Sequence, residues 1–270
     1  VDERIPDVTT TAPTTTTPCR RWLQFSLRTL LVLMLVLGAG LGWLAHEAER
    51  ARAQRKLAAA IEQLGGRVEY RAVSGGMIRI VVVWWGKLLG EDLSGDATYV
   101  HFRGALVSDA GLAHLQGLTQ LQAIDLHNSQ VSDAGVAHLR GMSQLRALGL
   151  WETQVSDAGL AHLRGLTQLQ QLFLDDTQVG DAGLAHLRGL KRLQRLDLNN
   201  TQVSDAGLVH LRGLTQLQVL FLDNTQVSDA GLVYLQGLTQ LRWLSVRNTK
   251  VTEAGVAELQ KALPNLTIYR

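Results

Sequence analysis

Only one cysteine, Cys19, occurs in 270 residues, so neither an intrachain disulfide nor a cysteine-based zinc site can form. An excess of charge is also missing from the main body of the chain. The formal net charge is +2, and its uneven part lies early. Residues 20–56 hold seven Lys/Arg against two Asp/Glu, whereas residues 97–270 hold fourteen of each. A nucleic-acid-binding domain carries a basic stripe; the neutral body has none, which excludes nucleic acid as the partner. There is no glycine-rich phosphate loop, no HExxH and no recognisable nucleophile–base set. Asp175 and Asp223 invite an acid/base reading, but they belong to strands two apart, about 9.6 Å, with no pocket implied. An enzyme is therefore not expected, and no cofactor or metal is implied.

Prolines are few and three of the four stand in the first eighteen residues. Residues 1–19, with TTTAPTTTTP at their centre, have almost nothing apolar to bury and are expected to form a disordered tail. Residues 20–45 differ sharply. Thr29 to Ala45 carries no charge, and Trp22 and Trp43 are 21 positions apart. That is about 32 Å of helix, against a bilayer core about 30 Å thick whose two interfaces favour Trp. Arg28 lies near one end and can snorkel outward. The segment is predicted to be a single transmembrane helix; a signal peptide cut after Gly40 is the alternative. The positive-inside count nearly ties across it. Arg20, Arg21 and Arg28 hug the apolar run, which points to a cytoplasmic N-terminus and a main body outside the cytoplasm. Gly38 and Gly42 have the small-xxx-small spacing that lets two membrane helices approach, and so offer a homodimer contact.

Residues 46–66 are rich in Ala, Glu, Arg, Gln and Leu, with Leu57, Ile61 and Leu64 on one helical face and Gly65-Gly66 as a stop. A juxtamembrane helix is predicted. In residues 67–98, Val68/Tyr70/Ala72 and Ile78/Ile80/Val82 alternate around Ser74-Gly75-Gly76, the pattern of a β-hairpin. This stretch is expected to cap the remainder of the chain.

From Val107 onward the chain repeats every 24 residues. Val107, Val131, Val155, Val179, Val203, Val227 and Val251 open successive copies, and one full copy reads VSDAGLAHLRGLTQLQQLFLDDTQ. A constant period of this size means a solenoid, in which each unit buries its apolar face against its neighbours. Alternation over Leu172-Phe173-Leu174 predicts a short strand with leucines inward. Ser156-Asp157 predicts a helix start, with Leu160, Leu163 and Leu166 on the buried side. The serines at 132, 156, 204 and 228 read as caps, with Gly180 in the same place. A buried row of Thr153, Thr177, Thr201, Thr225 and Thr249 is expected to bond to the backbone of adjoining turns. The last copy, LQKALPNLTIYR, has one extra residue before Leu266.

The spacing Leu169-x-x-Leu172-x-Leu174-x-x-Thr177, repeated at Leu193/Leu196/Leu198/Thr201 and in the other copies, resembles that of the leucine-rich repeat family. The resemblance covers about 170 residues, 99–270, and implies an α/β solenoid of horseshoe form, with parallel strands on the concave face and helices on the convex face. The Asp-Ala-Gly-Leu-x-x-Leu segment is similar to the cysteine-containing subclass of F-box proteins. Thr stands here where that subclass has Cys, and no F-box is present. The run from Arg21 to Val32 followed by such repeats is similar to membrane-tethered leucine-rich repeat proteins of bacteria, a resemblance that implies an architecture rather than an activity.

Nearly identical copies differ in three places, the strand positions that point away from the core. The first column is Tyr99, Ala123, Ala147, Gln171, Arg195, Val219 and Trp243. The second is His101, Asp125, Gly149, Phe173, Asp197, Phe221 and Ser245. The third is Arg103, His127, Trp151, Asp175, Asn199, Asp223 and Arg247. Exposed aromatics among charges have the composition of an interface centre. The expected protein-binding site is therefore Trp151, Glu152, Phe173, Asp175, Asp176, Arg195, Asp197, Phe221, Asp223 and Trp243 on the concave face. Self-association as an envelope layer and a substrate-recognition subunit are the alternatives. The columns His114, His138, His162, His186, His210 and Arg140, Arg164, Arg188, Arg212 fall on helices, too far apart at about 10 Å to share a metal, and read as solvated surface.

Overall fold

The computed structural model describes residues 65–72, 95–102, 107–118 and 120–270, with scattered helical positions between 34 and 63. Two compact units result, residues 1–46 and 47–270. In the first, Met34, Gly38, Ala39, Gly42, Ala45 and His46 are helical and exposed. The rest of the predicted membrane segment, and residues 1–19, lie outside the described residues. Among the described residues, no helix is long and apolar enough to cross a membrane.

In the second unit the 24-residue period becomes a nine-stranded sheet in strict sequence order. β1 (Gly66–Ala72) pairs antiparallel with β2 (Gly95–Phe102). Seven parallel strands of three residues come next: β3 (Ala123–Asp125), β4 (Ala147–Gly149), β5 (Gln171–Phe173), β6 (Arg195–Asp197), β7 (Val219–Phe221), β8 (Trp243–Ser245) and β9 (Thr267–Tyr269). Each central residue pairs with the one 24 positions on, as in Ile124 with Leu148 and Leu172 with Leu196. These inward residues, with the valines and the helix-side leucines, form one continuous core almost without solvent exposure.

Between strands the chain turns through single-turn helices: α1 (Asp109–Leu112), α2 (Asp133–Ala137), α3 (Asp157–Leu160), α4 (Asp181–Leu184), α5 (Asp205–Leu208) and α6 (Asp229–Leu232). Most relax into a 3₁₀ turn, as at Ala161–Leu163. The longer α7 (Glu253–Ala262) closes the series. The serines cap as expected: Ser156 Oγ accepts from the Ala158 N–H at 3.3 Å.

The aspartate after each serine does more than favour a helix start. Asp133 accepts the backbone N–H of Ser156 at 2.8 Å and its hydroxyl at 2.6 Å, so the carboxylate of one coil holds the cap of the next. The same contact joins Asp109 to Ser132, Asp181 to Ser204, Asp205 to Ser228 and Asp229 to Thr252. It also explains the glycine of Asp-Ala-Gly. A Cβ on Gly159, Gly183, Gly207 or Gly231 would fall inside 3.0 Å of the Oδ1 of the preceding coil's aspartate.

Two expectations are corrected, and the expected hairpin partner, Ile78 to Val82, lies outside the described residues. Among the described residues Val68 pairs with Val100 on β2. The first parallel strand presents an open row of backbone groups, and β1 satisfies it. The threonines do not bridge coils: Thr177 donates to Leu174 O at 2.6 Å and Thr153 to Leu150 O at 2.5 Å, three residues back in their own turn. A short side chain reaches its own chain first. The extra residue before Leu266 does not enter the sheet, because Leu244 still pairs with Ile268. The turn between α7 and β9 absorbs it.

On the helix side the histidine and arginine columns interlock. Arg140 donates to His162 Nδ1 at 2.5 Å, and Arg164 Nε to His186 Nδ1 and Arg188 Nε to His210 Nδ1 at 3.0 and 3.1 Å. Tyr234 takes the next place, under Arg212 at 5.8 Å. Partial burial, and then the facing guanidinium, hold His162, His186 and His210 below the usual histidine range. The folded chain therefore keeps them neutral at a pH where the unfolded chain protonates them. Stability is unaffected above that range and falls as pH drops through it.

Two measurements test this arrangement. Gly183→Ala should destabilise by about 1–3 kcal/mol in denaturant melts through overpacking, whereas Gly165→Ala, with nothing within 4 Å of its added methyl, should not. Gly180→Ser supplies the cap and a second, hydroxyl bond to Asp157 beside the N–H bond already present, and should stabilise by about 1 kcal/mol. In the second, the unfolding midpoint should fall from about pH 7.5 to about pH 5.5, and less steeply when His162, His186 and His210 are all replaced by Gln.

Candidate functional site on the outward strand face

Strand alternation turns the first and second columns away from the core, and the third stands two residues beyond the second. Neighbouring strands lie about 4.8 Å apart, which brings equivalent side chains of adjacent coils to ring-stacking distance. The face uses this. Tyr99 stacks on His101 with centroids 6.3 Å apart, His101 meets His127 at 5.3 Å, and His127 stacks on Trp151 at 4.8 Å and 10°. Trp151 meets the edge of Phe173 at 5.6 Å. Arg195 then lies over Phe173 at 5.1 Å and Phe221 at 5.0 Å, a guanidinium between two rings. The run crosses from β2 to β7 as one stripe.

Gly149 makes its middle. A Cβ there would meet the Trp151 ring and, at 2.9 Å, Asp125 Oδ1. The missing side chain is what lets Trp151 lie against His127. Asp125 is itself held: it accepts from His101 Nδ1 at 2.6 Å, from His127 Nδ1 at 3.0 Å and from the His127 backbone N–H at 3.2 Å. Burial, with the negative Asp125 and Glu69 adding to it, pushes the Tyr99 phenol above its usual range.

The carboxylates beyond the stripe are partnered within the protein. Arg195 donates to Asp197 at 2.8 Å. Burial nonetheless raises the Asp197 carboxyl above the usual range, with Arg195 opposing. Asp175 is raised by burial first and by Asp197 second. Its Oδ1 accepts from Asn199 Nδ2 at 2.7 Å, Asn199 Oδ1 accepts the Asp223 N–H at 2.8 Å, and Asp223 Oδ1 accepts the Arg247 N–H at 2.8 Å. Asp175 and Asp223 thus belong to a bonded column along the third position.

Of the ten residues expected on this face, Trp151, Phe173, Arg195 and Phe221 come together in the stripe, and Asp175, Asp197 and Asp223 flank it. Trp243 on β8 is 47% exposed and, among the described residues, has no ring partner. Glu152 and Asp176 hold a turn position. They adopt φ of 56° and 54°, the left-handed position that Asn128, Asn200, Asn224 and Asn248 hold in the other coils. That position favours Asn and Asp for backbone reasons, so its residue type reports a turn. Tyr99, His101, Asp125 and His127 are in the site but were not among the ten. They were visible as column members, but no single column contains all their contacts: His101–Asp125 and His127–Trp151 run within columns, whereas Asp125–His127, His101–His127 and Trp151–Phe173 cross between them.

Residues 191–233 match the family model for leucine-rich repeats in two copies. No curated protein is matched by the sequence. Among solved structures, an internalin (inlF) from Listeria monocytogenes is 24% identical with a TM-score of 0.48, over 58% of this chain and 49% of that chain. This chain thus spans about half of that relative's length. An internalin C2 (inlC2) from the same organism is 22% identical at a TM-score of 0.47, over 68% of this chain and 89% of that one. A plant peptide hormone receptor, RGFR1 in complex with RGF2, is 15% identical at 0.42, over 58% and 25%. The matched residues 191–233 sit inside the uniform run of 24-residue coils, and the same coil recurs on either side of them, so the chain carries leucine-rich repeats.

Proposed function

We propose that this is a membrane-anchored leucine-rich repeat protein that binds a protein partner through the stripe on its outward strand face. One observation carries the reading. Side chains that differ from coil to coil still form an unbroken series of contacts from Tyr99 to Phe221, within an otherwise uniform repeat. Aromatic residues and arginine dominate the energetic centres of protein interfaces. Here Arg195 is already fixed between Phe173 and Phe221, so little side-chain freedom remains to be lost on binding. The anchor would be residues 22–45, read from their composition, with the repeats outside the cytoplasm and Gly38 and Gly42 available for a homodimer contact. A self-associating envelope protein would instead give a concentration-dependent oligomer and no distinct captured partner.

Crosslinking capture with the full chain, followed by affinity measurements, tests this. Trp151→Ala, Phe173→Ala and Arg195→Ala should each weaken partner binding by about 1–4 kcal/mol, while His162→Ala and Arg164→Ala on the helix side leave it unchanged. Loss confined to the helix-side variants would move the interface to the opposite face. Glu152 should behave as a turn residue: Glu152→Asn relieves the left-handed strain and should raise stability by about 0.5–1 kcal/mol in denaturant melts, with binding unaffected.

A further inference from the structure

We infer that His101, Asp125 and His127 form a binding site for a divalent transition metal, with Zn²⁺ the ion their donors suit best. The grouping arises from the fold. His101 and Asp125 are register partners on β2 and β3, and His127 stands two residues beyond Asp125 and so on the same side of its strand. Each residue offers one donor atom, and these atoms all lie within 4.8 Å of one another. The two imidazole–carboxylate separations are 2.6 and 3.0 Å. Four ligands at 2.0–2.1 Å from a tetrahedral ion are about 3.3 Å apart. Side-chain rotations that widen the two imidazole–carboxylate separations slightly and close the widest donor pair, at most 4.8 Å, by up to about 1.5 Å would therefore admit the ion in place of the protons now shared with the carboxylate.

The site is also held in shape. The Tyr99 ring lies parallel to His101 and the Trp151 ring to His127, and the His127 backbone N–H fixes Asp125 Oδ1. Groups that orient metal ligands in this way raise affinity. The side chains are 22%, 14% and 31% exposed, open enough for an ion to enter and sheltered enough to weaken competition from water.

Donor chemistry selects the ion. Two imidazoles and one carboxylate suit Zn²⁺ and its neighbours, whereas Ca²⁺ and Mg²⁺ prefer all-oxygen shells. Three protein ligands leave one position for water or for a side chain presented from outside. The helix-side histidines have no such capacity. In His162, His186 and His210 an arginine N–H already occupies the Nδ1 lone pair, and the arginine's positive charge repels a cation.

Zinc titration of the full chain, purified in detergent and stripped with chelator, tests the site by calorimetry at about pH 7.5. One zinc per chain is expected, with a dissociation constant in the micromolar range or tighter and a higher melting temperature for the loaded protein. His101→Gln and His127→Gln, which keep the fold because these side chains stand outside the core, should each weaken binding by more than about tenfold. His162→Gln with His186→Gln should leave it unchanged. No uptake at about 100 µM zinc, or uptake that survives both strand-face variants, would overturn the proposal. Because the readout is the ion alone, its failure is separate from failure of the stripe as a protein-binding surface.

Discussion

The solenoid depends on a carboxylate that reaches from one coil into the next. In a repeat protein each unit touches only its neighbours, so whatever couples adjacent units decides whether the array behaves as one body. Core leucines supply the apolar part of that coupling, but they are non-directional and would tolerate a slip. The aspartates at 109, 133, 157, 181, 205 and 229 are directional. Five of them engage both a backbone N–H and a hydroxyl of the next coil. Asp157 meets Gly180 and keeps only the N–H bond, at 2.7 Å. Hydrogen bonds to a charged group are about twice as strong as neutral ones. They also fix the offset between coils, and with it the period of 24.

The rest of the motif can be understood as accommodation of that contact. The serine supplies the hydroxyl and caps its own helix with the same oxygen. The glycine two residues after the aspartate leaves room for the carboxylate of the preceding coil. The helices shrink to a single turn because the chain must return to the sheet within one period. A uniform spine leaves the outward strand positions outside the leucine core and the aspartate coupling, so their residue types can differ from coil to coil while the period is kept.

How the stripe assembles is a matter of spacing. Side chains on neighbouring strands are held at about the thickness of stacked rings. Aromatic and guanidinium groups on successive coils then touch without any loop being shaped for the purpose. The same spacing brings His101 and His127 to either side of Asp125. A partner protein and a metal ion would be recognised at adjoining parts of one surface, and Trp151 belongs to both: it stacks on His127 on one side and meets Phe173 on the other.

The repeat, its period, the inward leucines and the serine caps could all be read from the sequence, because each is a local pattern that recurs in register. The outward columns could be read for the same reason, and four of the stripe residues with them. Other features needed the tertiary structure. Glu152 and Asp176 look like charges on a binding face, and only backbone angles reveal a left-handed turn. The threonines look like a ladder between coils, and only the geometry shows each hydroxyl turned back on its own strand. Asp-Ala-Gly reads as a helix start, although its aspartate and glycine answer to partners in other coils, 23 and 26 residues away. Periodicity along the chain determines which residues lie inside and which outside. Contacts between coils are set by the stacking of whole repeats, and that stacking alone decided that His101, His127, Trp151 and Phe173 would meet.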